Sequence, residues 1–310
     1  MRRIGGVPAL WSVALAACAC FLAAQGNPQA KKGAWTLGVY AGDSPLALRP
    51  APGAANPVLR GSDVTDMDVD TLAHPFLVIR DNRYFVFFTA KHLASDKGGI
   101  AVAESRDGLT WKFRRTVIRE PFVLSHPFVF EWKNEFYLVP EAHTETSVRL
   151  YKATSFPDRW QYAGNLLEGE RFISPTLARF RDRWWLFTSP SGNETLRLFH
   201  SAELMGPWKE HPLSPIVKKD LRTARPAGRP FVLDGALYRL AQDCYPTYGR
   251  AVRAFRITAI SPTAYAESPV EAPVVEASGT GWNGMGMHHV DAWKTARGRW
   301  LAVVDAIGSE

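Results

Sequence analysis

Leu124-Ser125-His126-Pro127-Phe128-Val129-Phe130 decides the fold, because its shape recurs along the chain. A polar residue opening an apolar or aromatic run returns in His74-Pro75-Phe76-Leu77-Val78, Ser174-Pro175-Thr176-Leu177-Ala178, Arg229-Pro230-Phe231-Val232-Leu233 and His289-Val290-Asp291-Ala292-Trp293. In chain order the spacings are 52, 48, 55 and 60 residues. Each segment runs into a turn and a second apolar strand, starting near Tyr84, Phe136, Trp184, Leu237 and Trp300. Four units add two more strands: the third runs begin at Ile100, Val148, Leu196 and Val252, and the fourth lie near Trp111, Trp160, Trp208 and Tyr265. Four strands per unit at a period of about 50 residues describe propeller blades. The sequence therefore predicts an all-β, five-bladed β-propeller. The fifth unit reaches only its second strand by Glu310, and Trp35–Tyr40 has the pattern of a third strand. Residues 34–60 are expected to complete the last blade and close the ring, which removes an exposed edge.

Composition agrees. Of 310 residues, 46% are hydrophobic and only 22% charged, which excludes a disordered chain. Aromatic residues reach 12%, and 24 Gly and 22 Pro supply many turns. The net charge of +7 is spread over scattered basic residues, so no nucleic-acid footprint is expected. A modest positive balance suits an anionic substrate.

Met1–Arg3 precede an uncharged stretch from Ile4 to Ala24, the order of a secretory signal. Cleavage after Ala24-Gln25-Gly26 gives a signal peptide over 1–26, a short linker over 27–33 and one propeller domain over 34–310. The product would be secreted or periplasmic, and monomeric. Leu15-Ala16-Ala17-Cys18 also reads as a lipoprotein box, so a lipid anchor on Cys18 is an alternative, as is an uncleaved membrane helix. Cys244 then remains alone, without an internal disulfide partner.

In an antiparallel hairpin the start of strand one and the end of strand two lie together. Around a ring, those positions collect at one mouth of the channel. The leading set is His74, His126, Ser174, Arg229 and His289; the trailing set is Thr89, Glu141, Ser189, Gln242 and Asp305. All ten are polar within apolar strands. Glu141 is the candidate general acid, with Asp243 or Asp305 as second carboxylate and His74 as an alternative base. His126, Arg225, Arg229, His288 and Asp305 are candidates for substrate binding, since arginine holds phosphate or carboxylate by paired hydrogen bonds. His288-His289-Val290-Asp291 carries groups able to ligate a metal, although adjacent strand residues face opposite sides.

Several motifs, taken in order, resemble a known family. They are Trp35–Tyr40, Ala73-His74-Pro75-Phe76, Leu124–Phe130, Pro140-Glu141, Phe156-Pro157 with Trp160, Gly228-Arg229-Pro230-Phe231, Gln242-Asp243-Cys244, Tyr248-Gly249 and His288–Asp291. Over roughly residues 34–306 the chain resembles the N-terminal domain of plant glucosamine inositolphosphorylceramide transferase and its stand-alone bacterial relatives. The resemblance implies a five-bladed propeller related to family 43 and family 32 glycosidases. It places transferase activity in a separate C-terminal domain, so that activity is not carried onto these residues. It also implies an aspartate in blade one and another in blade three, where this chain has His74 and Ser174. Glu141 keeps the place of the glycosidase acid. In related arabinan-cleaving propellers a channel cation lies near a fifth-blade histidine, so His289 is the matching candidate for an ion such as calcium.

Two functions follow as expectations. One is an exported carbohydrate-active enzyme, hydrolase or transglycosylase, acting on a glycan or anionic glycoconjugate. The other is non-catalytic: a glycan-binding propeller using the same mouth, or a scaffold that docks a separate glycosyltransferase by its blade surface.

Overall fold

A computed structural model describes residues 33–308 apart from 93, 96 and 191. The expected leader cleavage site, Cys18 and Cys20 lie outside the described residues. Strands β1 (Thr36–Ser44) and β2 (Ala47–Pro50) come first. Blade one is β3 (Thr71–Arg80), β4 (Arg83–His92), β5 (Lys97–Ser105) and β6 (Lys112–Ile118). Blade two is β7 (Ser125–Trp132), β8 (Glu135–Glu141), β9 (Ser147–Ser155) and β10 (Arg159–Glu168). Blade three is β11 (Ile173–Phe180), β12 (Arg183–Ser189), β13 (Arg197–Ser201) and β14 (Lys209–Glu210). Blade four is β15 (Phe231–Leu233), β16 (Ala236–Asp243), β17 (Ala251–Ile260) and β18 (Tyr265–Pro269), with β19 (Val275–Glu276) beside β17. Blade five joins β20 (Val290–Lys294) and β21 (Trp300–Ala306) to the two N-terminal strands in the order β20-β21-β1-β2. The fold is the expected five-bladed propeller, and the chain's start supplies the outer half of its last blade.

Closure rests on register and burial. Leu37 pairs with Asp305 and Val39 with Val303 across β1 and β21. Leu37, Val39, Leu301 and Val303 pack with Leu77, Val86 and Phe88 of blade one in one apolar cluster. Successive strand residues face opposite sides, so each inner strand can feed apolar side chains to both neighbouring blades.

Local sequence makes the hairpins. Asp81-Asn82, Lys133-Asn134, Arg181-Asp182 and Asp234-Gly235 join the first two strands of blades one to four, and all eight residues have positive φ. Two such residues form the tight turn whose twist matches the flanking strands. These turns sit at the far end of the blades from the polar tips.

At the near end, three first strands bulge. Register slips between Ala73 and Phe76, between Ser125 and Phe128, and between Ile173 and Thr176. His74, His126 and Ser174 sit in these slips with φ of 52°, 47° and 49°. A bulge turns a side chain away from the regular alternation, at a cost in backbone strain. The surrounding bonds hold the strain in place. His74 N–H donates to Asp305 Oδ2 at 2.8 Å, His126 N–H to Thr89 Oγ1 at 3.1 Å, and Ser174 N–H to Glu141 Oε2 at 2.8 Å. Each bulge is thus stitched to the trailing residue of the preceding blade.

Blade four departs from this pattern. Gly228 has φ of 150°, and a Cβ there would lie 1.9 Å from the Val290 carbonyl oxygen. Only glycine permits that approach of backbone to backbone.

Candidate functional site

Glu141 ends β8 and is buried at the mouth. Its carboxylate accepts from Ser174 N–H at 2.8 Å, lies 3.6 Å from Arg225 Nη2, and lies 3.3 Å from His143 Nδ1. Burial alone would raise this carboxyl group; His143, the Arg225 charge and the Ser174 N–H outweigh it and hold it below the ordinary value. Arg225 is itself only 12% exposed. It donates from Nε to Ser174 Oγ at 3.0 Å and from Nη1 to Asn193 Oδ1 at 3.0 Å, and lies over the Tyr248 ring.

Tyr248 carries the network across to blade five. Its ring meets Trp35 edge-on, and His288 stacks on Trp35 with centroids 3.8 Å apart. His288 Nδ1 bonds to Asp305 Oδ1 at 2.6 Å, and its backbone N–H reaches the same oxygen at 3.2 Å. Asp305 therefore orients both His288 and the bulge at His74. His74 stacks on His288 at 4.8 Å and bonds through Nδ1 to Ser125 Oγ at 3.1 Å. His126 bonds through Nε2 to Thr176 Oγ1 at 3.2 Å.

The sequence candidates Glu141, Arg225, His74, His126, His288 and Asp305 thus lie in one continuous network. Two others are held elsewhere. Asp243 sits beside Arg253 Nε at 2.9 Å and Arg222 Nη1 at 3.6 Å, and accepts from Tyr245 N–H. Arg229 makes a two-pronged pair with Asp291, at 2.9 and 3.0 Å, beneath the histidine layer against Phe76, Phe128 and Trp293. Trp35, Tyr248 and Asn193 join the mouth without having been singled out as site residues. Trp35 could have been found, since it immediately precedes the strand that pairs with β21 and so lies at the tip of blade five.

His289 lies edge-on to Phe76 at 4.6 Å and within 5.7 Å of His74 and His126. Calcium takes six to eight oxygen ligands. Around His289 stand imidazoles, a phenyl ring and the Arg229 cation, and the one carboxylate acting on it, Asp305, is already bonded to His288 and the His74 N–H, so these residues do not fit such an ion. Among the described residues no group of three or more His, Cys, Asp or Glu side chains is arranged to hold a metal. Cys244 is buried, and burial pushes its thiol up, away from the reactive thiolate.

The buried imidazoles have a consequence for stability. Burial, then neighbouring histidines and Arg225, hold His74 and His126 well below the ordinary value. Burial brings His289 down to about 3, against a raising influence from Asp305. Between that value and about 6.5, an unfolded His289 binds a proton that the folded one refuses. Stability present above about pH 6.5 is therefore lost as pH falls, by about 1.4 kcal/mol per unit for this ring alone. Urea midpoints measured from pH 7 to pH 4 should fall, with a shallower slope in His289→Gln. A flat wild-type profile would contradict the neutral cluster.

Comparison with known proteins gives a consistent picture. The family described as glucosamine inositolphosphorylceramide transferase 1, N-terminal, matches residues 28–307. Glucosamine inositolphosphorylceramide transferase 1 of Oryza sativa subsp. japonica is 38% identical over 298 residues, covering 88% of this chain and 40% of that protein. The Arabidopsis thaliana protein of the same name is 33% identical over 300 residues, covering 88% and 39%. The chain thus spans about two fifths of the length of these curated relatives. Among solved structures, a putative glycoside hydrolase from Parabacteroides distasonis aligns with a TM-score of 0.61 at 11% identity, covering 83% of this chain and 96% of that one. The catalytic domain of the Coprinopsis cinerea GH62 alpha-L-arabinofuranosidase aligns with a TM-score of 0.60 at 13% identity, covering 88% and 97%. At such identities the likeness speaks for the fold alone.

Proposed function

The chain belongs to the glucosamine inositolphosphorylceramide transferase 1 N-terminal family, and from that premise we propose that it is an exported carbohydrate-recognition propeller, binding a saccharide or anionic glycoconjugate at its channel mouth. Its relatives carry the name glucosamine inositolphosphorylceramide transferase 1 and its fold neighbours include a putative glycoside hydrolase and an alpha-L-arabinofuranosidase, which supports a role with carbohydrates.

The Glu141–Arg225 pair carries the reading. A general acid needs its proton near working pH, hence a raised pKa. Glu141 is held the other way, as an anion. In that state it anchors Arg225 rather than donating a proton. A guanidinium has five N–H donors. Ser174 and Asn193 take one each, leaving donors for a sugar hydroxyl, carboxylate or phosphate oxygen. Tyr248, half-buried beside it and backed by Trp35, offers apolar ring surface for a sugar.

A second reading is glycoside hydrolysis or transglycosylation with Glu141 as general acid. Its position at the end of β8, matching the acid of the resembled glycosidases, favours it. It requires Glu141 to take up a proton against Arg225.

A glycan array followed by a cleavage assay separates the two. The recognition reading expects hits that are bound and not turned over, with affinity lowered at least about tenfold in Arg225→Met. Glu141→Gln keeps an acceptor for Ser174 N–H but loses the negative charge facing Arg225, and should weaken binding as well. Turnover by wild type that disappears in Glu141→Gln would overturn recognition in favour of catalysis.

A further inference from the structure

A second recess opens beside the mouth. It is a cleft of about 530 Å³ lined by Glu194, Lys219, Asp220, Leu221, Arg222 and Tyr245. That size lies within the range of small-molecule sites. Tyr245 is half exposed, unusual in a chain whose other aromatic side chains are mostly packed. Arg222 lies over its ring at 4.5 Å. Behind both stands Asp243, buried, which accepts from Tyr245 N–H at 3.1 Å and pairs with Arg222 and Arg253. The backbone of Tyr245 and the guanidinium over its ring are therefore both tied to one interior carboxylate.

The cleft adjoins the mouth along the chain. Asn193, which accepts from Arg225, immediately precedes Glu194 in the cleft wall. Leu221 and Arg225 flank the end of β16, accepting from Cys244 N–H and Gln242 N–H at 2.8 Å each. Arg222 and Arg225 are three residues apart, so their Cα atoms are separated by no more than about 11 Å. Two or three linked sugar rings span such a distance.

The charges of the lining balance: Lys219 and Arg222 face Glu194 and Asp220. Asp220 is further occupied by Arg222 N–H and Thr223 Oγ1. A polyanion gains little there. A sugar ring gains a tyrosine face for its C–H groups and charged partners for its hydroxyls.

We infer that this cleft is a second saccharide subsite, with Tyr245 as its platform, and that the ligand is a chain of two or more sugar residues lying from Arg225 to Tyr245. The inference rests on the saccharide reading of the mouth and deepens it. Asp243 becomes a positioning residue for Tyr245 and Arg222.

Titration calorimetry of the whole protein with cello-, galacto- and galacturono-oligosaccharides, each from one to four residues, tests it. Affinity should rise about tenfold or more between the single sugar and the trisaccharide of the series that binds. Tyr245→Ala should remove that rise and leave single-sugar affinity unchanged, while Tyr245→Phe should keep it. Arg225→Met should weaken every length. Equal affinity at all lengths, or a Tyr245→Ala loss shared equally by the single sugar, would overturn the subsite while leaving the mouth intact. Failure of every series at every length would overturn the saccharide reading and the subsite with it.

Discussion

A chain shortened to begin at residue 61 is expected to lose its cooperative unfolding transition. The missing segment carries β1, which pairs with β21 from Thr36↔Ala306 to Gly42↔Trp300. It also carries Trp35, Leu37, Val39, Tyr40, Leu48 and Leu59, all buried. Burying a large apolar side chain contributes about 1.5–3 kcal/mol, so six contribute on the order of 10 kcal/mol. That equals the entire stability of a typical domain, about 5–15 kcal/mol. The shortened chain would also expose β21 as an unpaired edge. Urea titration followed by tryptophan fluorescence and circular dichroism checks this. A sigmoidal transition with the wild-type midpoint would mean that the N-terminal strands are an appendage.

Arg229→Met is expected to cost about 3–5 kcal/mol, the usual loss when one partner of a buried ion pair is removed. Asp291 is fully buried, and burial already pushes its carboxyl up against the pull of Arg229. Asp291 also accepts from Leu77 N–H at 2.7 Å, so the pair ties blades four and five to blade one. In Arg229→Met the carboxylate loses its cation, keeping the Leu77 N–H, beside the apolar layer where Arg229 lay over Phe76, Phe128 and Trp293. Adding Asp291→Asn removes the stranded charge and keeps an acceptor for Leu77. The double variant should therefore recover much of the loss in chemical denaturation. If Arg229→Met alone were as stable as wild type, the pair would have no structural role.

The architecture was legible because each blade repeats the same local instructions. An aromatic strand, a two-residue turn of Asp, Asn, Lys, Arg or Gly, and a second apolar strand recur at one period. Even the closing strand showed itself, since Trp35–Tyr40 carries the third-strand pattern. The tips were legible as polar positions in apolar strands. Their dual use was not. Asp305, Thr89 and Glu141 each satisfy the N–H of a bulge in the next blade, a geometric duty that no residue spacing announces.

Blade four shows where alignment by motif stops. Pro230-Phe231 places Arg229 level with His74 and His126. Gly228 carries the positive φ one residue earlier, and Arg229 drops beneath the histidines to Asp291. Arg225 occupies the mouth instead. The aromatic lip joins Trp35 to His288 and Tyr248 across nearly the whole length of the chain, and only ring closure brings them together.

The most direct measurement is a crystal structure of the protein soaked with a saccharide retained on the array. The sugar should lie within hydrogen-bonding distance of Arg225, against Tyr248, with further residues directed toward Tyr245. A sugar seated on an outer blade edge or at the turn end of the channel, with Arg225 still bonded only to Ser174, Asn193 and Glu141, would contradict the mouth as the binding site.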